Sequence, residues 1–461
     1  MAFIGREEQM QAIEEVLSHP GYQGIILYGR RRLGKTELLW HVLSKHPQKL
    51  LFFTGLVDNE ANNTLSFSKL IAKTFSLGNL SFPSFTDALE FVFRQAEQEE
   101  IYLVLDEYSS LRRAISGIDS QLQRLIDTYK RESNLKLVLC GSSIRQMEYI
   151  QSESNPLYRR FQLSLLLPEL DYYEASLFFP ERTEEEKVAL YAAFGGVPYY
   201  LEQIQKGKNV EENIILLLSS PLSHLAEETE NHLRTELSKI SNANAAFDAI
   251  AKGAYHFSDI LSFSHIPDSA ILSDVLRTLQ KMDLVESIVP INEPNNKKKS
   301  GYRIKDPTMR FYYRYLYPHA MERQVLGKQA FYDLFIQEDF QTQLVPKVFE
   351  DICRQYLTKE NKKGRLNPPL FRIGTYWYDD KKAKKNGQFD VAALTSNGYV
   401  AYEVKYLSRP LSDADIGKEE KEASEDPLPL SYAGFFSKSG YDLKKEYPYH
   451  FYTLKDLYKK D

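Results

Sequence analysis

The sequence predicts an α/β fold followed by two smaller units, and three patterns carry this prediction. Short apolar runs alternate with helical patterns through the first third of the chain, which is typical of a parallel sheet covered by helices. Three helical patterns and a hairpin follow in the middle. The last third combines an amphipathic helix with strands joined at Asn397-Gly398, a strong hairpin signal. We expect four regions, at 1–165, 166–235, 236–320 and 321–461.

The composition limits the cellular compartment and the binding partners that we expect for this protein. With 461 residues and a net charge of −5, the chain has no global field that would attract nucleic acid, so any such binding needs a local patch. Its two cysteines, Cys140 and Cys353, lie in apolar or helical contexts, which argues against disulfides and structural zinc. The first residues do not resemble a signal peptide, and no run of ~18 apolar residues occurs. We therefore expect a cytoplasmic protein that does not use a membrane.

Residues 24–37 predict a strand, a glycine-bounded loop and a helix. The loop follows the spacing G-x-x-x-x-G-K-[ST] with Gly29, Gly34, Lys35 and Thr36. Glycines let the backbone wrap a phosphate closely, and the N–H groups at a helix N-terminus attract anions. We expect Lys35 to reach the β- and γ-phosphates of ATP and Thr36 to bind Mg²⁺. The predicted nucleotide contacts are Gly29, Arg30, Arg31, Arg32, Leu33, Gly34, Lys35, Thr36 and Glu37.

A second apolar run, residues 101–106, ends in the carboxylates Asp106 and Glu107. Because the carboxyl ends of parallel strands face the ligand crevice, both side chains are expected beside the phosphates. We expect Asp106 to bind Mg²⁺ and Glu107 to orient or deprotonate the attacking water. The pattern therefore predicts hydrolysis of ATP to ADP.

Two further positions leave alternatives open. The apolar run at 135–141 is followed by Ser142 and Ser143; one of them could sense the γ-phosphate, or both could belong to a simple turn. Downstream, Arg159 or Arg160 could serve as an arginine finger, or could be paired structurally.

The first half of the chain resembles the archaeal-type ATPase family in the STAND branch of AAA-like P-loop proteins. The motifs that carry the resemblance are Gly5-Arg6-Glu7, Gly29–Thr36, Leu105-Asp106-Glu107, Gly141-Ser142-Ser143, Pro156-Leu157-Tyr158 and Gly195-Gly196-Val197-Pro198. The resemblance implies that Gly5 and Arg6 flank adenine, that Pro198 lies near the nucleotide, and that 166–235 form a helical lid. It also implies that ATP state controls the following domains. No sensor arginine follows Pro198, which leaves the hydrolysis rate and any self-association open.

Residues 245–320 predict three helices and a hairpin whose loop holds Lys297, Lys298 and Lys299, a winged-helix pattern. The exposed face of the third helix mixes acidic residues with Arg277 and Lys281, a poor fit to a recognition helix that follows phosphates. Two interpretations remain: the unit is a structural joint, or its loop lysines contact DNA.

In the last third, strand patterns at 389–394 and 399–406 flank the hairpin signal. A four-residue loop would set Asp390 opposite Glu403, and a two-residue loop would set it opposite Lys405. Because strands have a period of two, either register gathers Asp390, Glu403 and Lys405 on one face. Two carboxylates there could hold Mg²⁺, while Lys405 could steady the attacking water or the transition-state charge.

The spacing Asp-x(12)-Glu-x-Lys, after a helix that bears Glu350, resembles the PD-(D/E)xK nuclease fold, and 321–461 resemble the domain of unknown function that accompanies this ATPase family. Phe389 stands where the nuclease pattern has proline. The resemblance gives two main hypotheses: ATP-gated, Mg²⁺-dependent cleavage of DNA, or an ATP-dependent switch with an inactive nuclease-like domain. A DNA-binding regulator acting through the winged helix is a third. The lysines at 381, 382, 384 and 385 could attract a phosphate backbone or be solvated.

Overall fold

The computed structural model describes residues 3–46, 48–223, 225, 242–296, 299–380, 385–425 and 430–460. The chain divides into two compact units. The first is Met1–Leu170 together with the three residues Val197–Tyr199. The second is Asp171–Gly196 together with Tyr200–Asp461. The chain therefore leaves the first unit, returns to it for three residues and leaves it again.

The first unit is built on a five-stranded parallel sheet. Its strands are β1 (Gln23–Tyr28), β2 (Lys49–Thr54), β3 (Ile101–Asp106), β4 (Leu135–Gly141) and β5 (Leu163–Leu166). Its helices are Glu7–Ser18, Lys35–Leu43, Glu60–Thr74, Phe85–Gln95, Tyr108–Ala114, Ile118–Tyr129 and Ile144–Ile150. The spatial order β2-β3-β4-β1-β5 places β4 between β1 and β3. The predicted α/β class with a parallel sheet is confirmed.

The complete burial of β3 and β4 agrees with their positions inside the sheet. Every residue of both strands is buried, as expected for strands covered on both faces. The helix Phe85–Gln95 covers one face; Ser84 accepts a hydrogen bond from the backbone N–H of Asp87 at its N-terminus. Phe53, Phe67 and Phe85 pack together with ring centroids 5.0–5.6 Å apart. Full burial of such side chains contributes about 1.5–3 kcal/mol each, so this packing holds β2 against the helices Glu60–Thr74 and Phe85–Gln95.

The second unit contains a five-stranded mixed sheet in the order β14-β12-β10-β9-β8. Strands β6 and β7 form a separate hairpin, and β11 pairs with β13. The strands are β6 (Val285–Ile288), β7 (Gly301–Ile304), β8 (Arg372–Asp380), β9 (Lys385–Thr395), β10 (Gly398–Lys405), β11 (Leu411–Ser412), β12 (Leu430–Ser437), β13 (Tyr441–Asp442) and β14 (His450–Thr453).

The second unit also contains helices. They are Tyr172–Ser176, Glu184–Phe194, Val210–Ile214, Ala243–Ala251, Phe257–Ser264, Ser269–Lys281, Pro307–Phe311, Ala320–Val325, Lys328–Phe335, Gln337–Asp339, Val345–Lys362, Asp413–Glu425 and Leu454–Leu457, with π-helical segments at Ile215–Ser219, Tyr312–Leu316 and Phe340–Leu344. The short helix Pro198–Leu201 begins in the first unit and ends in the second. Across the described parts of the chain, no helix has both the length and the apolar character needed to cross a membrane.

The hairpin between β9 and β10 has the register of the predicted four-residue loop. Leu394 pairs with Tyr399, and Thr395 pairs with Gly398. The Thr395 hydroxyl donates to the carbonyl oxygen of Gly398 at 2.9 Å and accepts from the backbone N–H of Asn397 at 3.1 Å. Gly398 has a φ of +111°, a conformation that favours glycine. The turn chemistry therefore sets the register of the strand that carries Asp390.

The middle of the chain contains the three predicted helices and the β6–β7 hairpin. Asp268 caps the third helix by accepting from the N–H of Ile271. The sequence predicts Ser258 as the residue that caps the second helix. This prediction is wrong, because the helix begins at Phe257 and Ser258 lies inside its first turn. Lys297 and Lys298 lie outside the described residues, and Lys299 pairs with Glu293 at 2.7 Å.

A buried carboxylate joins several of these elements. Asp351, on the helix Val345–Lys362, is 7% exposed. Arg303 of β7, Arg310 of Pro307–Phe311 and Arg354 of the same helix all donate to it. Burial by itself raises the pKa of the Asp351 carboxyl, but the three arginines lower it well below its usual range. The guanidinium of Arg354 also donates to the carbonyl oxygen of Asp390 at 2.6 Å.

Candidate functional site

The loop after β1 has the backbone conformation that its glycines permit. Gly29 has a φ of +152° and Gly34 a φ of +80°. A Cβ atom at residue 29 would lie 2.6 Å from the carbonyl oxygen of Leu167, whereas one at residue 34 would meet nothing within 4 Å. Gly34 directly precedes the helix Lys35–Leu43 and supplies no side-chain cap. The first N–H groups of that helix are therefore directed into the loop, where they can bind an anion.

Lys35 lies inside this loop. Its ammonium donates to the carbonyl oxygens of Gly29 and Arg30 at 2.8 and 2.7 Å. The residue is 7% exposed, and burial lowers the pKa of its ammonium, although Asp106 and Glu107 oppose that shift. The Lys35 ammonium is held by two carbonyl oxygens of the loop, and such a cation can pair with a phosphate.

The ends of β3 and β4 complete the site. The Thr36 hydroxyl donates to Asp106 Oδ2 at 3.1 Å, and Asp106 Oδ1 accepts from the backbone N–H of Glu107 at 2.9 Å. Glu107 has a left-handed backbone, with φ +48°. The Ser142 hydroxyl, at the end of β4, donates to Glu107 Oε2 at 3.0 Å. Because β4 lies between β1 and β3, its end can reach both neighbouring strands.

Side chains around the loop tie it to the rest of the first unit. Arg30 pairs with Glu169 at 2.9 Å, and the guanidinium of Arg32 lies 3.9 Å above the ring of Tyr199. Arg6, which is 2% exposed, donates to the carbonyl oxygen of Leu33 at 3.3 Å. Leu33 and Gly5 are buried, and Arg31 and Glu37 are exposed. The motif Gly5-Arg6-Glu7 therefore includes a residue that contacts the loop. The motif that ends at Pro198 directly precedes Tyr199, which also contacts the loop.

The alternatives at 142–143 and 159–160 have different surroundings. Ser142 contacts Glu107, whereas Ser143 begins the helix Ile144–Ile150. Both carboxylate oxygens of Asp127 accept from the guanidinium of Arg160, at 2.8 and 3.2 Å. Arg159 is exposed, and its guanidinium lies 5.0 Å from the ring centroid of Tyr158. Arg160 is thus committed to a structural pair within the first unit.

In the second unit, Asp390 faces a lysine that sequence reasoning missed. The Lys347 ammonium lies 3.2 Å from Asp390 Oδ1 and 2.6 Å from Glu350 Oε2. Gln388 also donates to Asp390 Oδ1, at 2.9 Å. Lys347 and Glu350 lie three residues apart, which places both on one face of a helix. That spacing is the signal that could have identified Lys347.

Lys405 joins a second pair of carboxylates. Its ammonium lies 2.8 Å from Glu403 Oε1 and 2.9 Å from Glu419 Oε1. Glu419, on the helix Asp413–Glu425, is 7% exposed. The expected group of Asp390, Glu403 and Lys405 is therefore divided: Lys405 binds Glu403, while Asp390 is bound by Lys347. Nothing in the local sequence marks Glu419, since the fold alone brings its helix to β10.

Burial has the largest effect on the pKa values of Glu350 and Glu403. It raises the pKa of Glu350 to about 7, with Lys347 opposing the shift. It also raises the pKa of Glu403, and the charge of Asp390 adds to that rise. Among the residues that the structure describes, no three or more His, Cys, Asp or Glu side chains are placed to hold a metal together. Lys381, Lys382 and Lys384 lie outside those residues.

Two family models match this chain. Residues 3–204 match the model of an ATPase domain found predominantly in Archaea. Residues 312–419 match a model described as Archaea bacterial proteins of unknown function. The loop from Gly29 to Gly34, between β1 and the helix Lys35–Leu43, is called the phosphate loop below. The first match spans this loop, Asp106, Glu107 and Ser142, and the second spans Asp390 through Glu419.

Three of the similar proteins come from archaea. An uncharacterized protein of Methanocaldococcus jannaschii is 26% identical over 422 residues, which cover 90% of each chain. A Walker-type ATPase of Pyrococcus abyssi is 21% identical with a TM-score of 0.49, covering 68% of this chain and 96% of that one. The ORC2 protein of Aeropyrum pernix, in ADPNP and ADP complexes, is 14% identical with a TM-score of 0.43, covering 68% and 94%. In this chain, a region that matches an archaeal ATPase domain is followed by a region that matches proteins of unknown function.

Proposed function

We propose that this protein is a Mg²⁺-dependent ATPase whose nucleotide state controls its C-terminal, nuclease-like region. One observation carries the proposal: Thr36, Asp106, Glu107 and Ser142 are linked by hydrogen bonds beside a loop whose lysine is buried. The match of residues 3–204 to an archaeal ATPase domain supports it.

The loop would bind the phosphates of ATP. Lys35 would exchange the carbonyl oxygens of Gly29 and Arg30 for phosphate oxygens, which carry a full negative charge and so make stronger hydrogen bonds. The donor set beside it fits Mg²⁺, because the Thr36 hydroxyl and the Asp106 carboxylate are hard oxygen ligands only 3.1 Å apart. When bound, Mg²⁺ neutralises charge on the β- and γ-phosphates.

Glu107 would act on the attacking water. Its carboxylate ends a buried strand at the ligand edge of the sheet, where it can accept a proton from water or hold it in line with the γ-phosphate. Ser142 would orient that carboxylate through the 3.0 Å hydrogen bond. Arg6 and Pro198 would flank the adenine side of the site.

ATP binding and turnover test these roles separately. Lys35→Ala should weaken ATP binding roughly 10- to 100-fold, since it removes a charge-assisted contact of about 1.5–3 kcal/mol. Glu107→Gln should still bind ATP but lose turnover by ~10²-fold or more. Ser142→Ala should reduce turnover, while the neighbouring Ser143→Ala serves as the matched control. Unchanged ATP affinity in folded Lys35→Ala protein would contradict the proposal.

The C-terminal region has two candidate functions. Cleavage of DNA is suggested by the strand positions of Asp390, Glu403 and Lys405. The residues do not fit a divalent metal as they are arranged, because Asp390 is paired with Lys347 and Glu403 with Lys405. This pairing favours the alternative hypothesis, in which the nuclease-like region is an inactive recognition domain and the helices and hairpin at 243–304 form a rigid joint.

A cleavage assay separates these two functions. Single- and double-stranded DNA would be incubated with wild type, Asp390→Ala and Lys35→Ala proteins, with Mg²⁺ or Mn²⁺ and with or without ATP. We expect no cleavage by wild type while ATP turnover is intact. Cleavage that is lost in Asp390→Ala would instead establish the nuclease, and its response to Lys35→Ala would show whether ATP gates it.

A further inference from the structure

We propose that Lys347 is the resident cation of the C-terminal site and excludes a divalent metal ion from Glu350 and Asp390. The inference rests on the nuclease-like character proposed above, since that resemblance implies a metal at Asp390. Here an ammonium lies within 3.2 Å of a carboxylate on the helix and of a carboxylate on β9.

The geometry fixes this ammonium between the two elements. Lys347 and Glu350 project from the same face of the helix Val345–Lys362, and Asp390 comes from β9. One turn further along the helix, Arg354 donates to the backbone carbonyl of Asp390 at 2.6 Å. Arg354 is itself bound by the buried Asp351. The spacing of helix and strand is therefore set independently of Lys347, so the carboxylates remain apposed whichever cation lies between them.

Charge and coordination explain why Lys347 competes with a divalent metal ion for Glu350 and Asp390. Four carboxylates, on Glu350, Asp390, Glu403 and Glu419, are bridged in pairs by two lysines. Lys347 offsets one negative charge of its pair through short contacts. Mg²⁺ would lose a more costly hydration shell than the ammonium does, and it requires near-octahedral oxygen ligands at about 2.0–2.1 Å. A metal would have to displace this tethered ammonium. Without the ammonium, two carboxyl groups would face each other with no resident cation, and a divalent ion could bind between them with release of the proton that Glu350 carries.

Lys405 does not serve this role for Asp390. Its ammonium is held by Glu403 and Glu419, so removal of Lys405 would free a different pair of carboxylates. We therefore expect metal affinity at Asp390 to depend on Lys347. It should not depend on a lysine elsewhere on the same helix, such as Lys362.

Mn²⁺ binding to the full chain, measured by electron paramagnetic resonance without nucleotide, tests the inference. Every protein carries Asp106→Asn, which removes the only carboxylate proposed to bind Mg²⁺ beside the phosphate loop and so weakens metal binding there. Lys347→Met, which keeps the aliphatic length, should bind one Mn²⁺ at least 10-fold more tightly than the parent. Adding Asp390→Asn should abolish the gain. Lys347→Arg and Lys362→Met should behave like the parent.

Two outcomes would overturn the inference. One is parent protein that binds Mn²⁺ through Asp390 as tightly as Lys347→Met does. The other is Lys347→Met protein that shows no gain while its circular dichroism and melting temperature match those of the parent. Neither outcome depends on ATP turnover or DNA cleavage, so a failed ATPase or nuclease assay would leave this test intact.

Discussion

At the scale of single residues, the phosphate loop depends on backbone conformations that few side chains tolerate. Gly29 and Gly34 have positive φ, and so does Glu107, which is not a glycine. A non-glycine residue in that region costs of order 1–3 kcal/mol unless its surroundings stabilise it. The hydrogen bonds of Glu107 with Asp106 and Ser142 provide that stabilisation. The strain occurs at the residue assigned to the attacking water.

The two loop glycines should respond differently to alanine. Gly29→Ala would bring a methyl group to 2.6 Å from the Leu167 carbonyl oxygen, so the backbone must move and β1 must shift against β5. Gly34→Ala meets no atom and should lose only about 1–2 kcal/mol from its left-handed backbone. Urea unfolding should therefore show the larger loss for Gly29→Ala. Equal losses would contradict the steric account.

At the scale of elements, Asp351 connects the middle of the chain to the strand that carries Asp390. Its three arginines come from β7, from Pro307–Phe311 and from its own helix. An uncompensated charge away from water is costly, and removing Asp351 leaves three partly buried guanidinium groups without the counter-ion that they share, although Arg303 keeps its pair with Glu286. The hairpin, the helix and the Asp390 strand should consequently loosen together.

Asp351→Asn should destabilise the protein by about 3–5 kcal/mol at pH 7. Because the folded pKa of this carboxyl is depressed, its contribution is fully present above its unfolded pKa of about 3.9 and is lost as the pH falls below that value. The gap between wild type and Asp351→Asn should narrow between about pH 4 and pH 2. Urea melts at pH 7, 5 and 3 measure this, with the exposed Asp333→Asn as control.

The elements also show what sequence can predict. Strands β1, β3 and β4 were evident because buried parallel strands are nearly continuous apolar runs. The edge strand β5 was missed, since three of its four residues are only partly buried and Ser164 is exposed, so the strand gives no such signal. The register of β9 and β10 could be limited to two choices, and the Thr395 hydroxyl decides between them. Glu419 could not be found, because only the packing of its helix brings it to Lys405.

At the scale of the whole molecule, the proposed control by nucleotide predicts changes far from the phosphate loop. Glu107→Gln protein, held with ATP, should differ from ADP-bound protein in amide hydrogen exchange over Val345–Lys362 and β9–β10. Lys35→Ala protein should show no such difference. If exchange changes only within Met1–Leu170, ATP binds without controlling the C-terminal region.

The brief return of the chain to the first unit limits how this protein can be cut. A fragment that ends at Leu170 keeps the whole parallel sheet but lacks Tyr199, whose ring stacks on Arg32 of the phosphate loop. A fragment that keeps Tyr199 must also carry 171–196 from the other unit. Proteolysis within 171–196 would likewise leave the loop on one product and its stacking partner on the other. The phosphate loop and its stacking partner therefore come from two segments of the chain, and no single cut keeps both without part of the second unit.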